Sequence, residues 1–219
     1  MNRYFKTGNK LLFLLLWVSL LFCHYAFGQV KDFEGNIYKT HVFGDLEWMV
    51  ENLRSKKFSS GDSIILVKNP GIWSELNSAA YTLPNSTNES RNQNGFLYNG
   101  YAALEIKGIC PTNWRLPSHS EWSALILSFG GEKEAGMNLM NKNTDNSPPS
   151  YFNAQLSGFI GSDGFLGGFG QSGYWWSSTV SHTQGLWGRF IQNGEAGMYM
   201  VDGFKNSGFS IRCVREINP

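Results

Sequence analysis

The chain has 219 residues, of which 18 are Lys or Arg and 17 are Asp or Glu, so its formal charge at neutral pH is +1. This balance, without a basic stripe, excludes the electrostatic footprint of a nucleic-acid-binding protein. The chain also contains 8 Trp, 9 Tyr and 16 Phe, which predicts a large aromatic core, an aromatic binding surface, or both.

The first 28 residues have the pattern of a secretory signal peptide. Three basic residues precede the apolar run Leu11–Phe22, and Ala26–Gly28 supplies the small residues of a cleavage site. The run is shorter than the ~20 residues of a membrane-spanning helix, and bulky residues before Cys23 disfavour lipid attachment. We therefore predict cleavage after Gly28, a single mature domain over residues 29–219 with no transmembrane segment, and a secreted or cell-surface location.

Cys110 and Cys213 are the two cysteines that remain after the leader is removed. In an oxidising, extracytoplasmic setting they are expected to form a disulfide, and two free thiols are the alternative. A bridge across such a long loop stabilises a fold by roughly 4 to 5 kcal/mol at most in the loop-closure account. The expected role of this cysteine pair is therefore structural.

The clearest predicted elements are a hairpin near the start and a helix in the middle of the chain. Two β-rich runs flank Gly44-Asp45, a turn pair that favours a hairpin. Ser118–Glu121 has the spacing of a capping box, and the apolar residues that follow recur on one helical face until Gly130-Gly131. A second helix is predicted over residues 132–142, with Met137 and Met140 facing the core.

The last third of the chain is expected to contain loops and strands. Gly158–Gly173 has 7 glycines in 16 residues, a density that excludes a regular helix and predicts a folded loop whose backbone passes close to its neighbours. A meander follows, with a turn at Asn193-Gly194. In its last strand, residues 209–216, we expect Cys213 to face the core and Arg212 to lie on the opposite face.

Motifs for catalysis, metals and cofactors are mostly missing. The three histidines of the mature chain are widely separated and lack zinc-site spacing, and the G-x-G-x-x-G match at Gly168–Gly173 leads into a strand rather than a helix. Asn141, Asn143 and Asp145 alternate as the first ligands of a calcium loop do, but the required glycine and glutamate are absent. We predict no catalytic residues and no cofactor, with calcium at these three positions as the alternative to a polar turn.

The aromatic residues are the candidate ligand contacts. Trp175 and Trp176 are adjacent in a predicted strand, so they point to opposite sides, and at least one of them is expected to reach a surface. With Trp187 and Tyr199 they form the predicted binding set, because aromatic rings cover the apolar faces of sugars and dominate many protein contacts. The alternative is that each tryptophan fills the core.

Five sequence blocks resemble, in the same order, those of the Fibrobacter succinogenes major paralogous domain, a family of exported bacterial proteins: DFEGNIYKTHVFGDLEWMVENL, YNGYAA, GICPTNWRLPSHSEW, SGYWWSST and GFSIRCVRE. The RLP-x-x-x-EW element and the closing GF-x-x-R strand are also similar to the formylglycine-generating enzyme family. That similarity implies a C-type-lectin-like α+β fold with short antiparallel strands, one or two helices and long ordered loops. A third similar group, the C-terminal domain of a collagen-like bacterial adhesin, is associated with binding sulfated polysaccharides, for which this chain lacks a basic patch.

These observations lead us to expect a non-catalytic binding module that recognises a glycan or a surface protein through Gly158–Gly173 and nearby aromatic residues. A formylglycine-type oxidase is one alternative, although the resemblance implies a copper-holding pair of cysteines late in the chain, where only Cys213 is present. A purely structural envelope component is the other. The role of Arg115 stays open, because a carboxylate partner and a solvent-facing position both suit the sequence.

Overall fold

The computed structural model describes residues 28–84, 94–140 and 151–217. Residues 1–27 of the predicted leader and the candidate calcium positions Asn141, Asn143 and Asp145 lie outside the described residues. The fold of the described residues is α+β, with strands in the majority.

The helices are short and the strands are numerous. The described residues contain strands β1 (Gly28–Lys31), β2 (Ile37–Phe43), β3 (Leu46–Met49), β4 (Ile65–Leu66), β5 (Ala80–Thr82), β6 (Leu97–Asn99), β7 (Ser157–Ile160), β8 (Leu166–Phe169), β9 (Ser172–His182), β10 (Gly185–Gln192), β11 (Met198–Phe204), β12 (Gly208–Phe209) and β13 (Val214–Glu216). They also contain a 3-10 helix (Pro70–Glu75) and helices α1 (Gly100–Ala103), α2 (His119–Ser128) and α3 (Ala135–Leu139).

The strands form two sheets. The small sheet has the order β1-β2-β3-β13, and the large one has the order β11-β10-β9-β7-β12-β6-β5-β4, with β8 paired to β7 beside this path. Most neighbours are antiparallel, whereas β4–β5 and β7–β9 are parallel. The predicted hairpin is confirmed as β2–β3, and Gly44 adopts the positive φ of 59° that its tight turn requires.

Helix α2 confirms the capping-box prediction. The Ser118 hydroxyl accepts from the Glu121 amide at 3.2 Å, and the Glu121 carboxylate accepts from the Ser118 amide at 2.7 Å. The helix buries Trp122, Leu125 and Ile126.

The second helix is shorter than predicted, and the prediction that Met137 faces the core is wrong because this side chain is 57% exposed. The helix instead contacts the β10–β11 connection through Gly136, where a Cβ would collide with the Gly197 carbonyl. The prediction that Met140 faces the core is confirmed, because its side chain is buried.

The segment predicted as one strand over 209–216 passes from one sheet to the other. It leaves the large sheet after Phe209 and joins the small sheet at Val214. Both Ser210 and Arg212 are fully buried, as is Cys213, so both faces of this segment are covered. The predicted disulfide between Cys110 and Cys213 is confirmed, and it fastens this segment to the loop before helix α2.

The glycine-rich segment is a hairpin rather than a loop. Strands β7 and β8 pair antiparallel within it. Its backbone does pass close to its neighbours, as predicted: a Cβ at Gly158 would collide with the Gly167 carbonyl. Glycine therefore permits strand contacts that any other residue would disrupt.

Candidate binding surfaces

The two adjacent tryptophans of β9 lie in the core. Trp175 and Trp176 are both 0% exposed. The indole Nε1 of Trp175 donates to Asn52 Oδ1 at 2.9 Å, and that of Trp176 donates to the Tyr98 carbonyl at 2.7 Å. The prediction that they contact a ligand is wrong, because both faces of β9 are covered where these rings project.

The other two predicted residues are more accessible but do not converge. Trp187 is half-buried and Tyr199 is 38% exposed. Tyr199 pairs with Phe190 across β10 and β11, and Trp187 pairs with Asp202. Because side chains alternate along a strand, Trp187 and Phe190 lie on opposite faces of the sheet. The structure therefore does not bring the four predicted residues into one site.

Tyr199 ends a line of five aromatic side chains that crosses the large sheet, here called the aromatic row. Its members in spatial order are Phe165, Phe159, Tyr174, Phe190 and Tyr199. Successive ring centroids are 6.2, 4.9, 5.4 and 5.7 Å apart. Phe165 is 63% exposed, and the three inner rings are half-buried. Four of the five residues were missed in the sequence, although the Asn193-Gly194 turn signal could have indicated the pairing of Phe190 with Tyr199.

Glycines lie beneath several rings of the row. A Cβ at Gly167 would collide with the Phe165 ring, and one at Gly197 would collide with the Tyr199 ring. These rings therefore rest against bare backbone. The contacts restrict where the rings can lie in the free protein. The rings therefore lose less conformational entropy when a ligand binds.

A buried polar network lies below one end of the glycine-rich hairpin. The Arg212 guanidinium donates to Asn52 Oδ1 at 2.8 Å, to the Asn153 carbonyl at 2.7 Å and to the Phe152 carbonyl. Its central carbon also lies 4.2 Å from the centre of the Phe152 ring. Burial lowers the pKa of Arg212 to about 9, against the opposing effect of the Glu51 charge, so the side chain remains cationic at neutral pH.

Asn52 extends this network toward the surface. Its Nδ2 donates to the Asn94 carbonyl at 3.0 Å and to the hydroxyls of Ser157 and Ser210 at 3.0 and 3.2 Å. The Ser157 hydroxyl donates to the same Asn94 carbonyl at 2.9 Å. The main chain at Asn94 and at Asn153 is thus held by side chains that are themselves buried.

Above these held carbonyls is an open cleft of about 270 Å³, here called the amide cleft. Its described lining residues are Asn94, Met140, Asn153, Ala154, Gln155, Leu156, Phe169 and Gly170. None of these residues is charged. Gln155 Nε2 donates to Asn153 Oδ1 at 2.8 Å, and Phe169 contributes an aromatic ring that is 39% exposed.

A second buried arginine joins helix α2 to the large sheet. Arg189 donates to Glu132 Oε1 at 2.9 Å and to the Ser123 hydroxyl at 2.6 Å. It also lies 3.5 Å from His119 Nε2. Burial, followed by the Arg189 charge, lowers the pKa of His119, and Glu132 opposes this shift. The His119 ring lies beside Trp187, with 6.0 Å between ring centroids.

Arg115 has a structural role. It donates to both carboxylate oxygens of Glu121, at 2.8 and 2.6 Å, and to Glu216 at 2.7 Å. The hydrogen bond with Glu121 is the largest cause of a raised pKa of Arg115. This arginine therefore links the capped start of helix α2 to strand β13 at the protein surface.

The described residues contain neither a metal-ligand cluster nor a membrane-spanning helix. Among residues 28–84, 94–140 and 151–217, no three His, Cys, Asp or Glu side chains lie together as a metal site requires. No helix in the same ranges is long and apolar enough to cross a membrane.

The fold and these surfaces define a strand-rich α+β protein with a Cys110–Cys213 disulfide and a row of half-buried and exposed aromatic side chains across its large sheet. The family model of the Fibrobacter succinogenes major domain matches residues 42–215, which is more than half of the chain. The chain belongs to this family, as its five sequence blocks predict. No curated protein and no solved structure matches it.

Proposed function

We propose that the protein is a secreted or cell-surface, non-catalytic module with a C-type-lectin-like arrangement that binds a glycan chain along the aromatic row. The observation that carries this proposal is the row itself. Its rings follow one line across the large sheet and are most exposed at its two ends, Phe165 and Tyr199. A contiguous apolar patch of this kind, unlike a single exposed ring, marks a contact site.

The chemistry of the row favours a neutral polymer. Phenyl and phenol rings pack against apolar faces of sugars, and the tyrosine hydroxyls can form hydrogen bonds beside them. Burial raises the pKa of Tyr174, opposed by its hydrogen bond with Ser172, so this hydroxyl is protonated at neutral pH. A linear series of rings suits a ligand that repeats along one direction.

The alternatives have less support. A formylglycine-type oxidase would use a free cysteine pair, whereas Cys110 and Cys213 are bonded to each other. A purely structural envelope component would not require exposed rings positioned against glycines. The leader pattern and the disulfide together support export, because disulfides persist in oxidising compartments.

The test is retention of the full chain, expressed with its leader, on immobilised neutral and acidic polysaccharides and on a glycan array. We expect retention by at least one neutral polysaccharide. Tyr199→Ala and Phe165→Ala should each weaken retention by roughly tenfold, as expected for loss of an aromatic contact worth about 1.5 kcal/mol.

Phe204→Ala is the matched control. Phe204 is an exposed aromatic residue of the same strand as Tyr199, but it lies outside the row. Its loss should leave retention unchanged. Failure of every glycan to retain the protein would refute the proposal, and capture by a surface protein alone would make the row a protein interface instead.

A further inference from the structure

The amide cleft is separate from the aromatic row. It lies at the Phe169 end of strand β8, whereas Phe165 of the row precedes the other end of that strand. None of the five rings of the row is among its described lining residues. Any ligand of the cleft can therefore be removed by substitutions that leave the row intact.

We propose that the amide cleft binds a single neutral sugar unit. Two coupled side-chain amides provide the hydrogen-bonding groups. Gln155 Nε2 donates to both the side-chain and the main-chain oxygen of Asn153, at 2.8 and 3.2 Å. Within the described residues, this leaves Asn153 Nδ2 as an unused donor and Gln155 Oε1 as an unused acceptor. A sugar hydroxyl both donates and accepts, so neighbouring hydroxyls match this pair.

The apolar part of the cleft completes the site. Phe169 exposes 39% of its surface, and Met140 and Leu156 add apolar lining. Ligand sites commonly combine such apolar walls with a few fixed polar groups. The volume of about 270 Å³ lies just below the roughly 300–1,000 Å³ of sites for drug-sized ligands, so it suits one ring rather than a chain.

The backbone of the cleft is fixed from below. Arg212 holds the Asn153 carbonyl, and Asn52 and Ser157 hold that of Asn94. Asn153 has a φ of 51°, a left-handed conformation that Asn tolerates better than most residues and that is uncommon outside turns and functional sites. A rigid main chain of this kind lowers the entropy cost of positioning the two amides on a ligand.

The absence of charge among the described lining residues decides the ligand class. The described lining residues offer a phosphate, sulfate or carboxylate no cationic partner, and desolvating such a group without a partner is costly. A neutral sugar meets no such penalty. The assignment extends the proposed function by naming a second ligand contact, but it does not depend on the aromatic row.

The test is a ¹⁵N NMR titration of the full chain with glucose, galactose, mannose and N-acetylglucosamine, each up to roughly 10 mM, which detects affinities in the millimolar range. We expect saturable shifts of the side-chain amide signals of Asn153 and Gln155 with at least one of these sugars. Gln155→Met and Asn153→Asp, which each remove one hydrogen-bonding partner, should weaken that affinity by about tenfold.

Gln184→Met, a substitution of an exposed amide in the β9–β10 turn, should leave the affinity unchanged, and so should Tyr199→Ala in the row. If Tyr199→Ala still binds the sugar, failure of the glycan-chain proposal for the aromatic row can be distinguished from failure of the sugar proposal for the amide cleft. If none of the four sugars moves the two amide signals, or if an acetylated dipeptide amide moves them and the sugars do not, the assignment is wrong.

Discussion

Strand β9 contains two groups of aromatic residues with opposite environments. Tyr174 is half-buried and belongs to the aromatic row, whereas the next two residues, Trp175 and Trp176, are completely enclosed. All three are large aromatic residues in consecutive positions. Residue type and strand periodicity therefore do not distinguish an aromatic surface from an aromatic core in this protein.

The difference comes from what each ring contacts. Both tryptophans donate their indole N–H to a buried acceptor, Asn52 or Tyr98, which removes the cost of burying that polar group. The rings of the row instead lie beside one another, and the rings at its two ends, Phe165 and Tyr199, are exposed. Enclosed tryptophans that donate to buried acceptors stabilise the fold, while rings that keep an exposed side remain available to a ligand.

The largest expected difference between the two groups is in stability. Trp175→Ala should lower the free energy of unfolding by about 3–5 kcal/mol, because it empties a large volume of packed core. Tyr199→Ala should lower it by no more than about 0.5–1 kcal/mol, as for most surface changes. Urea denaturation of both variants gives the comparison, and equal losses would show that the row is part of the core.

The stability of the core around Trp175 also depends on Arg212. Arg212→Met should lower the free energy of unfolding by about 2–3 kcal/mol, because three buried acceptors lose their donor. Arg212→Lys should recover little of this, since an ammonium group cannot span the acceptors that the planar guanidinium reaches. Thermal and urea unfolding measure both variants, and a Met variant as stable as the parent would mean that burying the cation offsets its hydrogen bonds.

A methyl group added beside a ring can test the aromatic row without removing any of its side chains. Gly167→Ala should displace the Phe165 ring, since the new Cβ would occupy its position. We expect weaker glycan retention with a stability change of about 1 kcal/mol or less. The control is Ser178→Ala, at an exposed position of β9. Gly194→Ala is unsuitable as a control, because Gly194 has a φ of 86° that alanine adopts only with strain. Unchanged retention in Gly167→Ala would exclude Phe165 from the contact.

The smallest expected effect concerns the pKa of His119, whose ring lies beside the half-buried Trp187. The lowered pKa of His119 means that the fold favours its neutral form. This contribution to stability is therefore present above the unfolded pKa of about 6.5 and is lost as pH falls below it. In Arg189→Met, one of the two causes is removed, so the pKa of His119 should rise.

An NMR titration of the histidine ring signals measures this change. His41 is the internal control, because burial alone lowers its pKa and Arg189 has no part in that shift. A pKa of His119 that stays the same in the Arg189 variant would show that burial accounts for the whole shift.

Local sequence patterns predicted the local elements well. The Gly44-Asp45 turn, the Ser118 cap and the Cys110–Cys213 bridge are all confirmed. Each depends on residues whose chemistry acts over a short range or, for the disulfide, on a pair with no competing partner. The α+β class was implied by the family resemblance, and the described residues confirm it.

The candidate sites were less predictable. The sequence identified Tyr199 and the glycine-rich segment but not the other rings of the row, because these come from three separate strands and from Phe165 in the turn between β7 and β8. The amide cleft joins described residues from four parts of the chain, represented by Asn94, Met140, Asn153 and Phe169. Nothing in a local pattern relates positions so far apart.

By itself, the sequence determined the turns, the capped helix, the disulfide partners and the family, because turn chemistry, capping and cysteine pairing are encoded in a few neighbouring or unique residues. Only the tertiary structure decided which aromatic rings are buried and which are exposed. Burial depends on whether a second layer covers a given strand face. In this protein the helix α2 layer and the crossing segment at Arg212 cover Trp175, while Tyr199 at the edge of the sheet stays accessible.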